Sequence, residues 1–442
     1  MNAALPLATD IADAADVANA ADAADAGSAP AVAWGDAPTS RVPGWAYTSD
    51  GVYREELQRL FYRGHWCYVG LDCEVPEPGD WRRSALGERS VVMVRDAAGE
   101  IHVVENRCAH RGVAFVRERH GHAHSFTCPY HQWTYKLDGS LQGLPFRKGV
   151  KQDGRVNGGM PPDFDLKDHG LTKLKVARRG GLVFASFDHG VEPFEDFLGP
   201  DILRYYDRTF HGRPLKLLGY NRQRIPANWK LMQENIKDPY HPGLLHTWFV
   251  TFGLWRADQR SQMVMDAKHR HAAMVSTRNA GGTGDMSEVT QGVTSFKAGM
   301  TLHDDRILDV VPEPWWNGPS VVMMTLFPSL IIQQQVNSLS TRHIQPVAPG
   351  VFDFVWTHFG FADDDEAMTR RRLRQANLFG PAGYVSADDG EVIEFAQQAF
   401  AANAEARTLS ELDGRDVRPT DHMVTETLIR GMYGYWRSVM GL

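Results

Sequence analysis

Hydrophobic and polar residues follow a strand-like pattern in the part of the chain between Trp66 and Phe187. The apolar runs there are short, and Gly, Asp and Pro interrupt them at turn positions. The clearest of these runs are SVVMVRD, IHVVENRC, LTKLKVARRG and GLVFASF. This pattern predicts a small antiparallel β unit over residues 66–187.

The remainder of the chain mixes longer helical periods with strands. Helical spacing of apolar residues runs through DEAMTRRRLRQANLF and TDHMVTETLIRGMYGYWRSVM, and strand patterns occur in SVVMMTLF, SLIIQQQVNS and FDFVWTHFGF. Because no internal repeat of fixed period is visible, the pattern predicts one large α+β domain.

The first 42 residues have a different composition from everything that follows. They are dominated by alanine and aspartate, with no basic segment at the start and with aspartates inside every apolar run. These features argue against a targeting signal and predict a disordered acidic tail over residues 1–42. A chain that begins near Arg41 is therefore expected to keep its activity.

Composition narrows the class of protein further. The chain has 442 residues, 43% of them apolar, a formal net charge of −7 and no long Lys/Arg run, which argues against nucleic acid or an acidic membrane surface as a constant partner. No run approaches the roughly twenty apolar residues of a membrane helix. Four cysteines are too few for a disulfide framework in a chain of this length, and two of them lie beside histidines. We therefore expect a reducing, cytoplasmic compartment and a bound metal.

Two short motifs, CAHRG and CPYHQW, each bring a thiol and an imidazole close together. Cys108 and His110 form the first pair, and Cys128 and His131 form the second, with seventeen residues between the pairs. Mixed thiolate and imidazole ligation suits structural zinc or an iron–sulfur cluster. Paired zinc ligands usually have two to four residues between them, whereas the first pair here has one. The spacing favours a Rieske [2Fe–2S] centre, in which both cysteines bind one iron and both histidines bind the other.

A second metal site is indicated by the segment IPANWKLMQENIKDPYHPGLLHTW. Asn228 is a suitable N-cap for a helix over residues 229–237, and the prolines that follow stop this helix. The break allows His241 and His246, which would diverge on a continuous helix, to face one ion. Two imidazoles and a carboxylate are typical of mononuclear non-haem iron. A zinc hydrolase could use the same residues, but it would have no need of a redox cluster.

These motifs together resemble those of one known family. CAHRG, CPYHQW and the stretch E-N-x-x-D-x-Y-H-x-x-x-x-H that starts at Glu234 are similar to the large (α) subunits of Rieske non-haem iron aromatic-ring-hydroxylating oxygenases. The resemblance implies an α+β fold, with a Rieske β domain (66–187) inserted into a helix-grip (START-like) antiparallel-sheet catalytic domain (43–65 and 188–442). It also implies two cofactors, a Rieske [2Fe–2S] cluster and mononuclear Fe(II).

The resemblance further implies roles for particular residues. His241 and His246 are expected to be iron ligands, Asn235 to lie close to the metal, and Asp238 to bridge toward a Rieske histidine. The third iron ligand is expected at the second aspartate of the doublet in VSADDGEVIE, which is Asp389, with Asp388 as the alternative.

The expected reaction is the hydroxylation of a monocyclic aromatic acid, with salicylate converted to gentisate. The resemblance implies a small β subunit in an α3β3 assembly, and electrons from NADH through a reductase and a ferredoxin. Two alternatives remain: a ring-dihydroxylating dioxygenase of anthranilate, terephthalate or a related benzoate, and an electron-transfer protein without catalytic iron. A carboxylate-bearing substrate needs a polar partner in an apolar pocket, and Gln333 is the predicted donor.

Overall fold

The computed structural model describes residues 33–254, 259–277 and 293–442. Its α-helices are α1 (Trp45–Thr48), α2 (Asp50–Glu56), α3 (Phe194–Thr209), α4 (Trp229–Ile236), α5 (Pro242–Leu245), α6 (Thr247–Thr251), α7 (Glu366–Phe379), α8 (Tyr384–Ala402) and α9 (Thr427–Met440). Among the described residues, no helix is both long and apolar enough to cross a membrane.

The strands of the described residues fall into five sheets. They are β1 (Cys67–Leu71), β2 (Asp80–Leu86), β3 (Arg89–Arg95), β4 (Ile101–Glu105), β5 (His120–His122), β6 (Phe126–Thr127), β7 (Thr134–Tyr135), β8 (Leu141–Gly143), β9 (Val150–Gln152), β10 (Arg155–Asn157), β11 (Lys175–Arg179), β12 (Leu182–Ser186), β13 (Leu215–Ile225), β14 (Ser261–Met265), β15 (Ala272–Ser276), β16 (Val321–Leu326), β17 (Leu330–Gln335), β18 (Ser338–Ala348) and β19 (Val351–Phe361).

The largest sheet is antiparallel and has the strand order β13-β19-β18-β17-β16-β15-β14. Because side chains alternate between the two faces of a strand, neighbouring residues serve different layers. Met324 and Ile332 belong to a buried core that also contains residues of α3, β1 and β12. Met323 and Gln333, a cross-strand pair, lie on the opposite face. That second face is where the cavity described below is located.

The predicted β unit is present. Its strands run from Cys67 to Ser186 and form a four-stranded sheet (β4-β3-β2-β5), two three-stranded sheets (β6-β7-β8 and β1-β12-β11) and a hairpin of β9 and β10. A separate core cluster, which includes Trp81, Val92, Trp133 and Tyr135, lies within this part of the chain. A β unit beside a mixed helical and antiparallel domain confirms the predicted α+β fold class.

One predicted helix starts later in the structure than its sequence pattern indicates. The helical period in TDHMVTETLIRGMYGYWRSVM predicts a helix from the start of that segment, but α9 begins only at Thr427. Thr420 instead forms a β-bridge with Met263, and the two exchange backbone hydrogen bonds. Pro242 starts a helix as well as stopping the one before it. It is the first residue of α5, a position where its missing N–H removes no hydrogen bond of the helix.

The predicted tail extends too far along the chain. Residues 1–32 lie outside the described residues, but Trp34 is buried and packs 6.0 Å from both Tyr433 and Trp436 of α9. Arg437 donates hydrogen bonds to the carbonyls of Gly35 and Ala37. The chain is therefore already packed at Trp34, and a chain that starts at Arg41 would lack this contact.

Trp34 is expected to contribute strongly to stability. Replacing a buried Trp by alanine usually costs about 3–5 kcal/mol, because a cavity remains where the ring was. We expect Trp34→Ala to lower the thermal unfolding midpoint clearly, and Trp34→Phe, which keeps an aromatic ring, to lower it much less. Differential scanning calorimetry measures both. An unchanged midpoint in Trp34→Ala would show that this contact is dispensable.

Candidate metal centres

A break after α4 brings two histidines to one point. The Asn228 side chain caps α4 by accepting a hydrogen bond from the Lys230 N–H, which confirms the predicted N-cap, and the helix ends at Ile236. The Asp238 carboxylate then accepts hydrogen bonds from the backbone N–H groups of Tyr240 (2.8 Å) and His241 (3.3 Å) and so shapes the turn. As a result the rings of His241 and His246 lie 5.4 Å apart.

A carboxylate from α8 completes the group. Oδ1 of Asp389 lies 3.4 Å from Nε2 of His241 and 3.2 Å from Nε2 of His246. Within the described part of the chain, these three side chains are the one group of three or more His, Cys, Asp or Glu residues whose ligand atoms all approach within 4.8 Å. Two imidazoles and one carboxylate with a neighbouring open space suit a mononuclear Fe(II) site.

Each histidine also has a carboxylate on its outer side. Oδ2 of Asp238 lies 3.4 Å from Nδ1 of His241, but the two groups are not oriented for a hydrogen bond. Oδ2 of Asp388 lies 3.2 Å from Nδ1 of His246, within hydrogen-bond distance. Such partners fix the ring orientation and the tautomer of a metal-bound histidine. The structure therefore places Asp389 among the inner groups and Asp388 outside them. The assignment of Asp389 as an iron ligand stays a prediction.

The charges in this group are those of a cation site. Burial alone would lower the pKa of His241, but Asp238 and Asp389 outweigh it and raise that pKa to about 10. Burial alone would raise the pKa of Asp389, but the hydrogen bonds from His241 and His246 hold it well below its usual range. Asp389 is thus ionised, and the raised pKa keeps His241 protonated when no metal is bound. A metal ion would take the place of the His241 proton.

Asn235 lies beside the same carboxylate. Its Nδ2 donates a hydrogen bond of 3.1 Å to Oδ1 of Asp389, and its Oδ1 is buried and has no partner among the described residues. The structure therefore places this side chain beside the histidine–aspartate group. Its closeness to a bound metal stays a prediction.

The two cysteine–histidine motifs form a second centre. Cys108 and Cys128 are buried free thiols, and the rings of His110 and His131 lie 4.7 Å apart. Matching turns carry the two motifs: the N–H of Gly112 donates to the carbonyl of Cys108, and the N–H of Gln132 donates to that of Cys128. Both turn residues have positive φ, 75° and 55°. The thiols are buried and the imidazoles lie partly exposed, an arrangement that fits a Rieske cluster.

Neighbouring side chains hold this second centre in place. The His110 ring stacks on Trp133 at 4.8 Å, and the Tyr135 hydroxyl lies 3.1 Å from Sγ of Cys108 and accepts a hydrogen bond from the Ala109 N–H. Nδ1 of His131 is buried and has no partner in the described ranges. Two thiols that form no disulfide, together with an unpartnered imidazole nitrogen, are what a cluster would satisfy.

A cavity adjoins the histidine–aspartate group. It encloses about 760 Å³, part of it open to solvent, and its wall includes Asn235, Asp389, Gln335 and Arg342 together with a methionine-rich surface from β14, β15 and β16. Sequence reasoning missed Arg342, which is only 3% exposed. The one signal available was a basic residue in the middle of an otherwise uncharged strand.

Arg342 is a buried cation that forms no ion pair among the described residues, although the negative charge of Asp389, on the same cavity wall, favours its charged form. Its guanidinium stacks on Trp356 at 3.9 Å and contacts Oε1 of Gln333, while its Nε has no hydrogen-bond partner among residues 33–254, 259–277 and 293–442. Burial lowers the pKa of Arg342 to about 9. No carboxylate pairs with it within these ranges.

The predicted role of Gln333 requires correction. Gln333 and Gln335 do share a face, as the strand period predicts, but Gln333 is not part of the cavity wall. Its amide is occupied on both sides, because Nε2 contacts Oε1 of Gln335 and Oε1 contacts Arg342. Gln333 supports the two residues that do line the cavity.

Two family descriptions match this chain. The Rieske [2Fe-2S] domain matches residues 65–153, and the ring hydroxylating alpha subunit (catalytic domain) matches residues 201–442. The large oxygenase component of salicylate 5-hydroxylase from Ralstonia sp is 69% identical over 92% of this chain and 96% of its own length. The anthranilate 1,2-dioxygenase large subunit of Burkholderia cepacia is 39% identical over 91% and 94%.

A solved structure shows the same fold. Naphthalene 1,2-dioxygenase with indole bound aligns with a TM-score of 0.73 at 23% identity, over 91% of this chain and 92% of that chain.

Proposed function

The chain belongs to the Rieske-type ring-hydroxylating oxygenase α subunits, and from that premise we propose that it hydroxylates salicylate to gentisate. Membership confirms the predicted family, the predicted cluster and the predicted mononuclear iron. It also excludes the alternative of an electron-transfer protein without catalytic iron. The similarity to the Ralstonia sp enzyme supports salicylate over the benzoates and anthranilate.

The observation that carries an aromatic acid as substrate is the buried, unpaired guanidinium of Arg342. A charge in an apolar setting is costly unless a partner compensates it. A planar carboxylate suits the guanidinium fork, and the apolar part of the wall suits a ring. A neutral hydrocarbon would leave Arg342 unpaired.

We also propose the metal ligands, from the membership in this family and the geometry of the two centres. Cys108, His110, Cys128 and His131 would hold the Rieske cluster, and His241, His246 and Asp389 would hold Fe(II). When bound, these groups supply electrons one at a time and activate dioxygen.

The other side chains position and shield the reactants. Asn235 orients the Asp389 carboxylate through the hydrogen bond described above. Arg342 fixes the substrate carboxylate, and the apolar wall limits access of water to the ring. One oxygen atom enters the ring position para to the hydroxyl group, and the second leaves as water with two electrons from NADH and two protons.

We also propose the partners of the chain. The name of the Ralstonia sp relative, a large oxygenase component, supports a small β subunit, and we propose the α3β3 assembly with a ferredoxin and an NADH-dependent reductase. Tyr130 beside His131 is 58% exposed, and Tyr240 beside His241 is 40% exposed, so each centre adjoins an aromatic surface that another subunit could cover. The free cysteines support a cytoplasmic location.

Turnover in labelled dioxygen tests the reaction. The reconstituted system should convert salicylate to gentisate that carries one labelled oxygen atom. Gentisate without label, or a diol or catechol with two labelled atoms, would contradict the proposal.

Substitution of Arg342 tests how the acid is recognised. Hydrogen bonds to charged groups contribute about 1.5–3 kcal/mol, so Arg342→Gln should lower kcat/KM for salicylate about tenfold or more. The neutral analogue salicylamide should lose much less. Arg208→Gln is a matched control, because Arg208 donates to Gln334 on the other face of the sheet. Equal losses for salicylate and salicylamide in Arg342→Gln would contradict this role.

A further inference from the structure

Four methionines form one side of the cavity. Met263, Met274 and Met323 are direct cross-strand neighbours on β14, β15 and β16, so their thioethers form a row on the cavity face of the sheet. Met423, from the segment before α9, lines the same cavity and packs against Met263. We call these four residues the methionine wall. An apolar wall needs no sulfur, and Leu or Ile would pack equally well.

The position of the methionine wall has a chemical consequence, which rests on the proposed function. Oxygen reduced at this site without attack on a ring leaves as hydrogen peroxide. Peroxide converts a thioether to a sulfoxide: an S–O bond forms, the O–O bond breaks, the sulfur is oxidised and water departs. The methionines of the wall line the same cavity as the histidine–aspartate group.

We propose that the methionine wall is a site of oxidative modification, in which uncoupled turnover converts its methionines to sulfoxides. A sulfoxide is polar and branched where the thioether was apolar and flexible. Accumulated oxidation therefore reshapes the cavity and reduces turnover. Because methionine sulfoxide reductases reverse the reaction, the change is reversible.

The chain contains matched internal controls. Met324 directly follows Met323 on β16, but it points into the core on the other face and is fully buried. Met300 is 42% exposed and is not part of the cavity wall. Peroxide from bulk solvent should reach Met300 first, whereas peroxide released in the cavity should reach the wall first.

The test uses the iron-loaded oxygenase with its reductase, ferredoxin, NADH and oxygen. Salicylate is compared with benzoate, which lacks the ring hydroxyl, and each is run with and without catalase. Oxygen uptake, hydroxylated product and peroxide are measured, and peptides are mapped by mass spectrometry for the gain of one oxygen atom per methionine. A further arm adds hydrogen peroxide directly to the reduced protein, so that oxidant is present whatever the coupling.

We expect sulfoxide in the wall peptides in proportion to uncoupled oxygen, with none at Met324. Catalase should protect Met300 but not the wall. Treatment with sulfoxide reductases should remove the added oxygen and restore the lost turnover. Uncoupled turnover that leaves the wall unmodified, or wall oxidation that catalase suppresses together with that of Met300, would overturn the proposal. Failure of the proposed function would appear differently, as salicylate that stimulates no oxygen uptake and yields no product.

Discussion

Replacing Asp389 by alanine is expected to abolish iron binding at the histidine–aspartate group and, with it, all hydroxylation. The carboxylate lies within 3.4 Å of both Nε2 atoms and is the one acid placed between them. Two imidazoles alone leave a dication without a directly bound anion in a buried site. Iron content should fall from about three atoms per chain to about two, the number in the cluster. The electron paramagnetic resonance signal of the reduced cluster should be unchanged.

Asp388→Ala is the matched control for this experiment. Asp388 belongs to the same helix and lies 3.2 Å from His246, but on the outer nitrogen. Loss of an outer partner commonly costs on the order of ten- to a hundredfold in metal affinity or activity, so iron should still load at high concentration. Iron that remains in Asp389→Ala but disappears in Asp388→Ala would exchange the two assignments.

The doublet also shows how far sequence reasoning extends. Adjacent residues on a helix point about 100° apart, and the choice between them depends on how α8 is rotated against α4. That rotation is set by packing between segments about 150 residues apart, such as the Asn235–Asp389 contact. Periodicity could not supply it, and the preference for Asp389 comes from the family resemblance. The motif spacings, by contrast, are local, and the histidines that they pair lie close together in the structure.

The misses have the same physical origin. Trp34 follows an alanine-rich segment, and its packing partners are about 400 residues away on α9. Arg342 is buried only because β17 and β19 flank its strand and Trp356 lies under its guanidinium. Gln333 was placed on the correct face by strand alternation, but its neighbours on that face occupy its amide. In each case a non-local contact decides the role, and no local pattern encodes it.

Replacing Asp238 by asparagine is expected to leave both metal sites loaded and electron delivery between them nearly abolished. The carboxylate has two functions in the structure. Oδ1 accepts the backbone N–H groups of Tyr240 and His241, and Oδ2 lies 3.4 Å from Nδ1 of His241. An asparagine oxygen can keep the backbone contacts, so the turn should survive. The amide cannot replace the negative charge that faces the imidazole.

The geometry explains why this loss should be large. Tyr240 and Tyr130 are exposed, and each lies beside a half-buried histidine, His241 and His131, which suits contact between the two centres of neighbouring subunits in the proposed assembly. In that arrangement Asp238 is the group that both histidines would share across the interface. A carboxylate that links two metal-bound imidazoles affects electron transfer between the centres as well as metal affinity. We therefore expect electron delivery to fall on the order of a hundredfold, the upper end of the range for outer partners.

Single-turnover chemistry separates this role from a structural one. The Asp238→Asn protein, with its cluster reduced beforehand, is mixed with oxygen and salicylate, and gentisate formation is followed together with cluster oxidation. If Asp238 serves only the turn, the asparagine oxygen keeps the backbone contacts, and thermal stability, cluster oxidation and gentisate formation all stay normal. If it is the bridge, the protein unfolds at its normal temperature, the iron content is normal, and the cluster stays reduced while no gentisate forms. Normal cluster oxidation coupled to product would exclude Asp238 as the bridge, and another contact between the subunits would have to carry the electron.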